Sequence, residues 1–477
     1  MNRPWFVAIV LAVSFCACKK ATFDTDPAVK HNPPAIPVTI VLDQNLPGYT
    51  ISHQFEGLSY ETALLTENPG DLNENNTVLI QLIKNLGRGV LRIGGNSSDE
   101  IDWGSDDPGA DSLKRKLTKA DIDRLAAFSK AIKWPVLFGL NLANNNATQA
   151  ADEAHYVHIA LQNNLYALQS GNEPDVFCLG PRPRTYKYQD YQREWNKYYT
   201  VIKRLAPGAN FAGPDIDPFN TLWFSEFTRD EHQKVNLLDS HYYNFGPASD
   251  PAININNVLR PNKNMDELLQ GMNKIASAHN LPFRISEANS IWGQGKPGVS
   301  NTFASALWAL DFMWSVAENN GQGINFHGGG IRFVYTPINI DNGIITTRPL
   351  YYAMLAFKYG AVGGKIIPTR VVNRDESNNY SVHACVNADN STSLTLINKE
   401  IGKDFSFTVQ LNKTASIVKI SRLSAPSITA LTGVTFAGST VNTDGVFAPA
   451  ITEQYRTDQK SIVVAVPAGS AAVVLIK

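Results

Sequence analysis

Val90-Leu-Arg-Ile93, Lys119-Ala-Asp-Ile-Asp-Arg-Leu-Ala-Ala-Phe128 and Val136-Leu-Phe-Gly-Leu140 follow one another in the first third of the chain. The outer two are short, mostly apolar runs, the pattern of strands buried on both faces. The middle one repeats apolar residues at i, i+3 and i+4, the spacing of an amphipathic helix. Working outward, the same rhythm recurs from about residue 54 to 360. Strand-like runs fall at 55–59, 90–93, 136–140, 166–169, 211–213, 237–240, 283–286 and 323–326, with helical patterns between them. Eight strand–helix units predict an α/β fold, a (β/α)8 TIM barrel spanning 54–362.

Beyond about 365 the rhythm changes. Asp404-Phe-Ser-Phe-Thr-Val-Gln-Leu411 and Ser461-Ile-Val-Val-Ala-Val-Pro467 read as strands separated by Gly, Asn, Asp and Ser clusters, with no convincing helix. Residues 363–477 are therefore predicted to form an accessory C-terminal all-β sandwich. Val38-Thr-Ile-Val-Leu42, in the segment 38–53, is predicted to pair into it, so that both ends of the chain close one domain around the barrel.

The 477 residues carry 42 Lys+Arg against 43 Asp+Glu, a formal net charge of −1. That balance argues against a nonspecific nucleic-acid binder and offers no extended basic face for long sulfated chains. Aromatic residues make up 10% of the chain, which suits either a protein that stacks on sugar rings or simply a large core. Residues 1–18 read as an export signal, with Arg3 ahead of a short apolar run. Ala17-Cys18 resembles a bacterial lipobox and makes Cys18 the lipidation candidate, ahead of Cys16, which follows bulky Phe15. This predicts an exported protein anchored to a bacterial membrane by lipid, with plain secretion as the alternative. The proline-bearing segment 19–37 reads as a tether. Cys178 and Cys385 fall in different predicted domains, without zinc spacing, and default to structural thiols. The acidic run 99–107 lacks the spacing of a calcium loop and reads as capped and solvated.

Reactive groups of such a barrel sit at the C-terminal ends of its strands. The fourth run ends Ser170-Gly-Asn172-Glu173-Pro174 and the seventh Ser286-Glu287-Ala-Asn289. Two glutamates across one mouth form the carboxylate pair that glycosidic cleavage requires: one protonated to protonate the leaving oxygen, the other ionised to attack the anomeric carbon.

The placement of Asn172-Glu173 and Glu287 resembles the retaining glycoside hydrolases of clan A. Gly57-Leu-Ser-Tyr-Glu61, Leu91-Arg-Ile-Gly-Gly-Asn96, Gly171-Asn-Glu-Pro174, His241-Tyr-Tyr243 and Glu287-Ala-Asn-Ser-Ile-Trp-Gly-Gln-Gly295 resemble glycoside hydrolase family 79 more narrowly, the heparanase and β-glucuronidase family. The resemblance implies Glu173 as acid/base, Glu287 as nucleophile, Tyr243 as the group that orients Glu287, and Asn172 on the hydroxyl next to the anomeric carbon. It places Glu61 and Asn96 on sugar hydroxyls and implies no metal or organic cofactor. Trp292 stands where the family has a tyrosine that helps hold the glucuronate carboxylate. Gly330 and Arg332, in a glycine-rich loop after strand eight, are compensating candidates, with Tyr335 as a spare hydroxyl; His327 lies on the same rim. The expected substrate is a glycan or glycoside with a β-linked uronic acid, cleaved by a retaining exo-β-glycosidase. A modified uronide, a neutral sugar, or a non-catalytic glycan-binding protein are the alternatives.

Overall fold

The computed structural model describes residues 34–104, 116–217, 220–329, 332–450 and 453–477. The export signal, Cys18 and Gly330 lie outside the described residues, as does almost all of the tether.

The predicted barrel is present. Eight parallel strands run Glu56–Glu61, Gly89–Gly94, Val136–Leu140, Leu165–Ser170, Ala212–Ile216, Leu237–Phe245, Phe283–Ile291 and Ile324–Gly328, here called barrel strands one to eight. Each pairs with its neighbours in sequence and the first pairs with the eighth. The ring closes between strands four and five, where the Leu168 amide donates to the Asn210 carbonyl at 2.9 Å. Strands six and seven are the longest, nine residues each, and reach furthest toward the mouth. A register shift after Ser240 sets His241 opposite Glu287.

The floor of the barrel is polar. Arg284 is fully buried and donates to Asn325 Oδ1 at 2.5 Å and to the carbonyls of Gln54 and Phe55. Burial pushes its guanidinium down to about 10. A Cβ on Gly57 would stand 2.7 Å from Arg284 Nη2, so position 57 of strand one leaves room only for glycine.

The C-terminal part forms two sheets. One orders Thr369–Val372, Ile36–Leu42, Phe405–Gln410 and Ser461–Val466; the larger one is built on Tyr380–Val386, Thr392–Asn398, Ser470–Ile476 and Ile417–Ser424. Phe405, Phe407 and Val409 alternate inward against Val38, Ile40 and Val464, the period-two pattern of a half-buried sheet. Ile36–Leu42 is an inner strand, antiparallel to Thr369–Val372 and parallel to Phe405–Gln410. Cys178 and Cys385 are both free thiols.

The sandwich is fastened to the barrel by an ionic knot. His383 stacks on Trp314, with centroids 5.3 Å apart and planes within 7°. Its Nε2 lies 2.9 Å from Asp311 and its Nδ1 2.7 Å from Glu318, both on the barrel helix Phe303–Glu318. Lys399 donates to the other Asp311 oxygen at 2.5 Å, and Asp266 faces the same cluster from the helix Lys263–Ala278. Burial alone would lower the His383 value, but the Glu318 and Asp311 carboxylates outweigh it and raise it to about 9.

A histidine raised on folding adds stability that is complete below its unfolded value of about 6.5 and disappears as pH rises through its folded value. His383→Gln should therefore lower the melting temperature at pH 6, by an amount worth about 3 kcal/mol. The gap to the parent protein should narrow steadily between about pH 6.5 and 9. Parallel melting curves across that range would show that His383 is not charged in the fold.

Candidate active site

The mouth of the barrel is a cleft of about 1090 Å³ at the C-terminal ends of the strands. Its chemistry is organised from beneath by Arg92, in the middle of strand two and fully buried. All five guanidinium N–H groups are used. Nε donates to Gln169 at 3.1 Å; Nη1 to Ser59 at 3.1 Å and Glu287 at 2.6 Å; Nη2 to Asn172 at 2.8 Å and Asp215 at 2.7 Å. The two glycines after Ile93 make room for this. A Cβ on Gly94 would lie 2.9 Å from Arg92 Cζ, and one on Gly95, whose φ is +71°, would lie 2.5 Å from the Glu61 carboxylate.

Glu287 lies in the middle of strand seven, which runs on to Ile291, and is 6% exposed. Besides Arg92 it accepts a hydrogen bond from the Tyr243 hydroxyl at 2.6 Å, and His327 Nδ1 stands 3.6 Å away. Burial would raise its carboxyl. The His327, His241 and Arg92 charges and the Tyr243 hydroxyl overcome this and hold it well below the usual carboxylate range. Tyr243 is itself pushed well above the ordinary phenol by burial and by Glu287, so its hydroxyl keeps its proton and donates.

Glu173 has a left-handed backbone (φ 50°) at the turn into the short helix Pro174–Leu179, and its amide donates to the Asp215 carbonyl at 2.8 Å. The turn lifts the carboxylate into the cleft, where its side chain is 21% exposed. His241 lies between Glu173 Oε1, 2.8 Å from Nδ1, and Asp215 Oδ1, 2.9 Å from Nε2. Burial would lower the His241 value, but Asp215 and Glu287 raise it well above an ordinary imidazole, so both ring nitrogens carry protons and donate. Asp215 is held low by Arg92 and His241 against the effect of burial. Asp239, forced up to about 8 by burial and by Asp215, is a neutral acid at pH 7. Gln169 donates to both, at 2.5 and 2.6 Å.

One carboxylate oxygen of Glu173, one of Glu287 and a ring nitrogen of His241 lie within 4.8 Å of one another. Among the described residues no other group is spaced for a metal ion. This one is a poor metal site: His241 has both nitrogens committed as donors, and Glu287 is saturated by Arg92 and Tyr243.

Glu61, Asn96, His327, Tyr243, Trp292 and Arg332 line the cleft. Glu61 accepts from the amide and hydroxyl of Ser97 at 2.8 and 2.5 Å, and His327 Nε2 stands 3.4 Å from it. Burial raises its carboxyl, but His327 and Ser97 bring it below the usual range. Asn172 lies deeper than the sequence suggests. It is 5% exposed, with Oδ1 taken by Arg92 and Nδ2 donating to Asn96 Oδ1 at 3.0 Å, which leaves one N–H hydrogen for a ligand. The Trp292 indole is 47% exposed and packs on Gly246, where a Cβ would come within 2.2 Å of Nε1. Tyr335 places its hydroxyl 3.4 Å from that of Tyr243. Asp99, read in sequence as part of a solvated acidic loop, instead accepts the amides of Leu142, Ala143 and Asn172 and braces the strand-three and strand-four turns.

Arg92, Asp215 and His241 carry no assigned role in the sequence reading, although Arg92 and His241 stand inside quoted motifs. The fifth expected run ends at Gly213, whereas the strand continues to Ile216 and so includes Asp215.

Residues 136–313 match the N-terminal domain of glycosyl hydrolase family 79, and residues 380–473 its C-terminal beta domain. A β-glucuronidase of Aspergillus niger is 26% identical over 462 residues, covering 82% of this chain and 83% of its own length. A baicalin-β-D-glucuronidase of Scutellaria baicalensis is 25% identical over 224 residues, covering 44% and 40%. A 4-O-α-L-rhamnosyl-β-D-glucuronidase from Fusarium oxysporum superposes with a TM-score of 0.76 at 18% identity, covering 91% of this chain and 99% of that one. With both domains of the family matched and the barrel, sandwich and paired carboxylates in place, the chain belongs to glycosyl hydrolase family 79 and is a glycoside hydrolase.

Proposed function

We propose that the protein is a retaining exo-β-glucuronidase. The observation that carries this is the approach of the two carboxylates to within 4.8 Å. Retaining enzymes hold their pair at roughly 5–5.5 Å, whereas inverting enzymes open it to roughly 6.5–9.5 Å to admit a water.

In this mechanism ionised Glu287 attacks the anomeric carbon while the Glu173 carboxyl gives its proton to the leaving oxygen. The glycosidic C–O bond breaks and a glycosyl–Glu287 ester forms. Glu173, now a carboxylate, takes a proton from water, which attacks the same carbon and releases Glu287. Tyr243 and Arg92 fix the rotamer of Glu287 and keep it charged. His241 orients Glu173 through Nδ1. The remaining Asn172 N–H hydrogen is available to the hydroxyl next to the anomeric carbon.

For the glycone, the charge on the cleft wall supports a single uronate. Among the described lining residues Arg332 is the sole Arg or Lys, set among eight carboxylates. A polyanionic chain would meet repulsion along most of this surface, whereas one carboxylate has one partner. Arg332 is charged and forked, which suits a carboxylate better than a tyrosine hydroxyl does. Tyr335 and the Trp292 N–H complete the set of donors. We propose further that the protein is exported and tethered through Cys18. Among the described residues no helix is long and apolar enough to cross a membrane.

Four measurements test this reading. Glu287→Ala should abolish turnover of 4-nitrophenyl β-D-glucuronide, while Glu173→Ala should lose about 10²–10⁴-fold on substrates with poor leaving groups and far less on the nitrophenyl one. Proton NMR of early product should show the β-anomer; the α-anomer would exclude double displacement. Tyr243→Phe removes a hydrogen bond that keeps Glu287 ionised, so the acid limb of the kcat/KM profile should move to higher pH. Arg332→Ala should cost about 10–100-fold in kcat/KM on glucuronide and nothing on glucoside; equal losses on both would remove Arg332 from carboxylate recognition.

A further inference from the structure

The turn that carries Glu173 is strained backbone. Gly171 has φ +85° and Glu173 φ +50°, so two left-handed residues flank Asn172. Glycine takes that conformation freely, but a glutamate holds it only where its surroundings impose it. The restraints can be named. The Glu173 amide donates to the Asp215 carbonyl at 2.8 Å. The Asn172 side chain is held by Arg92 and Asn96. The Asn172 amide, between the two left-handed residues, donates to Asp99 Oδ2 at 2.7 Å.

Asp99 binds more than this turn. Its Oδ1 accepts the amides of Leu142 at 2.7 Å and Ala143 at 3.0 Å, in the loop after strand three. The same two residues give their carbonyls to Arg182, Leu142 to Nη2 at 2.9 Å and Ala143 to Nη1 at 2.8 Å. An anion thus takes the N–H groups of residues 142–143 and a cation takes their C=O groups. Leu142 in turn bears on the strained backbone, since a Cβ on Gly171 would lie 2.9 Å from Leu142 Cδ2. Arg182 is itself fixed. Its Nε lies 3.0 Å from Glu194, and its guanidinium lies over the rings of Phe177 and Tyr186, 5.6 and 5.8 Å from their centroids. Phe177 belongs to the short helix Pro174–Leu179 that follows Glu173 and brings Val176 and Leu179 to the cleft. Neither Asp99 nor Arg182 lines the cleft.

We propose that Asp99 is a positioning residue for proton transfer: together with Arg182 it clamps residues 142–143 and the Asn172 amide, and so holds the Glu173 carboxyl within reach of the leaving oxygen. A general acid must stand roughly 2.6–3.2 Å from the atom it protonates, and a misplacement of about 1 Å can cost about 10²-fold. Glu287 is held separately, by Arg92 and Tyr243, so nucleophilic attack does not run through the clamp. Asp99→Asn keeps the shape of the side chain but turns one acceptor oxygen into a donor, which must then face either the Asn172 amide or the amides of 142–143.

This inference rests on Glu173 being the acid of the glucuronidase reading, and the test separates the two. kcat/KM is measured on phenyl and 4-nitrophenyl β-D-glucuronide for the parent, Asp99→Asn, Glu173→Ala and the double variant, each checked by thermal melting. Nitrophenolate departs with little help from an acid, whereas phenolate needs its proton. Asp99→Asn should lose about 10–100-fold on the phenyl substrate and less than about threefold on the nitrophenyl one. In the Glu173→Ala background the same substitution should cost nothing further, because the clamp has no acid left to position. Equal losses on both substrates, or a loss that persists without Glu173, overturn the clamp and spare the glucuronidase. Should Asp99→Asn fail to fold, Arg182→Gln is read by the same criteria. Equal losses on both substrates for Glu173→Ala overturn the assignment of the acid and the clamp with it. Turnover of neutral aryl glycosides alone overturns the uronide reading, and the same four proteins on the phenyl and nitrophenyl glycosides of that sugar then decide the clamp.

Discussion

A buried guanidinium holds this active site together. Arg92 has five donors and five acceptors, and these come from strands one, four, five and seven and the turn after strand four. Desolvating such a charge is expensive, and the cost is met only because every N–H finds an oxygen and two of those oxygens are anionic. Two cations, Arg92 and His241, are balanced by Glu287 and Asp215, and Asp239 avoids adding a third buried negative charge by remaining protonated. The nucleophile's ionisation is thus a property of the whole cluster. A lysine in place of Arg92 could serve at most three of the five acceptors, so the geometry admits arginine alone.

Much of this was legible in the residues. Parallel strands covered on both faces must be nearly continuous in apolar character, and the run Val136-Leu-Phe-Gly-Leu140 is legible for that reason. Glu173 and Glu287 were legible because strand ends in such a barrel face one mouth. Arg92 was hidden by the same logic: a charge in mid-strand reads as an interruption until its partners, up to 195 positions away, are known. Asp215 is hidden because Gly213-Pro214 reads as the end of a strand. The hairpin at 338–347 carries a tight-turn sequence, Asp341-Asn-Gly343, between two alternating runs. That it lines the cleft is a fact of ring closure.

The exchange of tyrosine for Trp292 is accommodated by backbone. The indole lies on Gly246, in the extension of strand six, and any side chain there would occupy the same space. The shape of this rim therefore depends on a pair of positions at the ends of neighbouring strands. Restoring tyrosine at 292 alone would leave a gap above Gly246 and a ring free to settle elsewhere.

The strand Ile36–Leu42 has a temporal consequence. It is among the first parts of the fold to leave the ribosome, yet both its neighbours, Thr369–Val372 and Phe405–Gln410, are made more than 300 residues later. At roughly 5–20 residues per second that interval is on the order of a minute or less. Throughout it an apolar segment with both hydrogen-bonding edges open must wait while the barrel between folds.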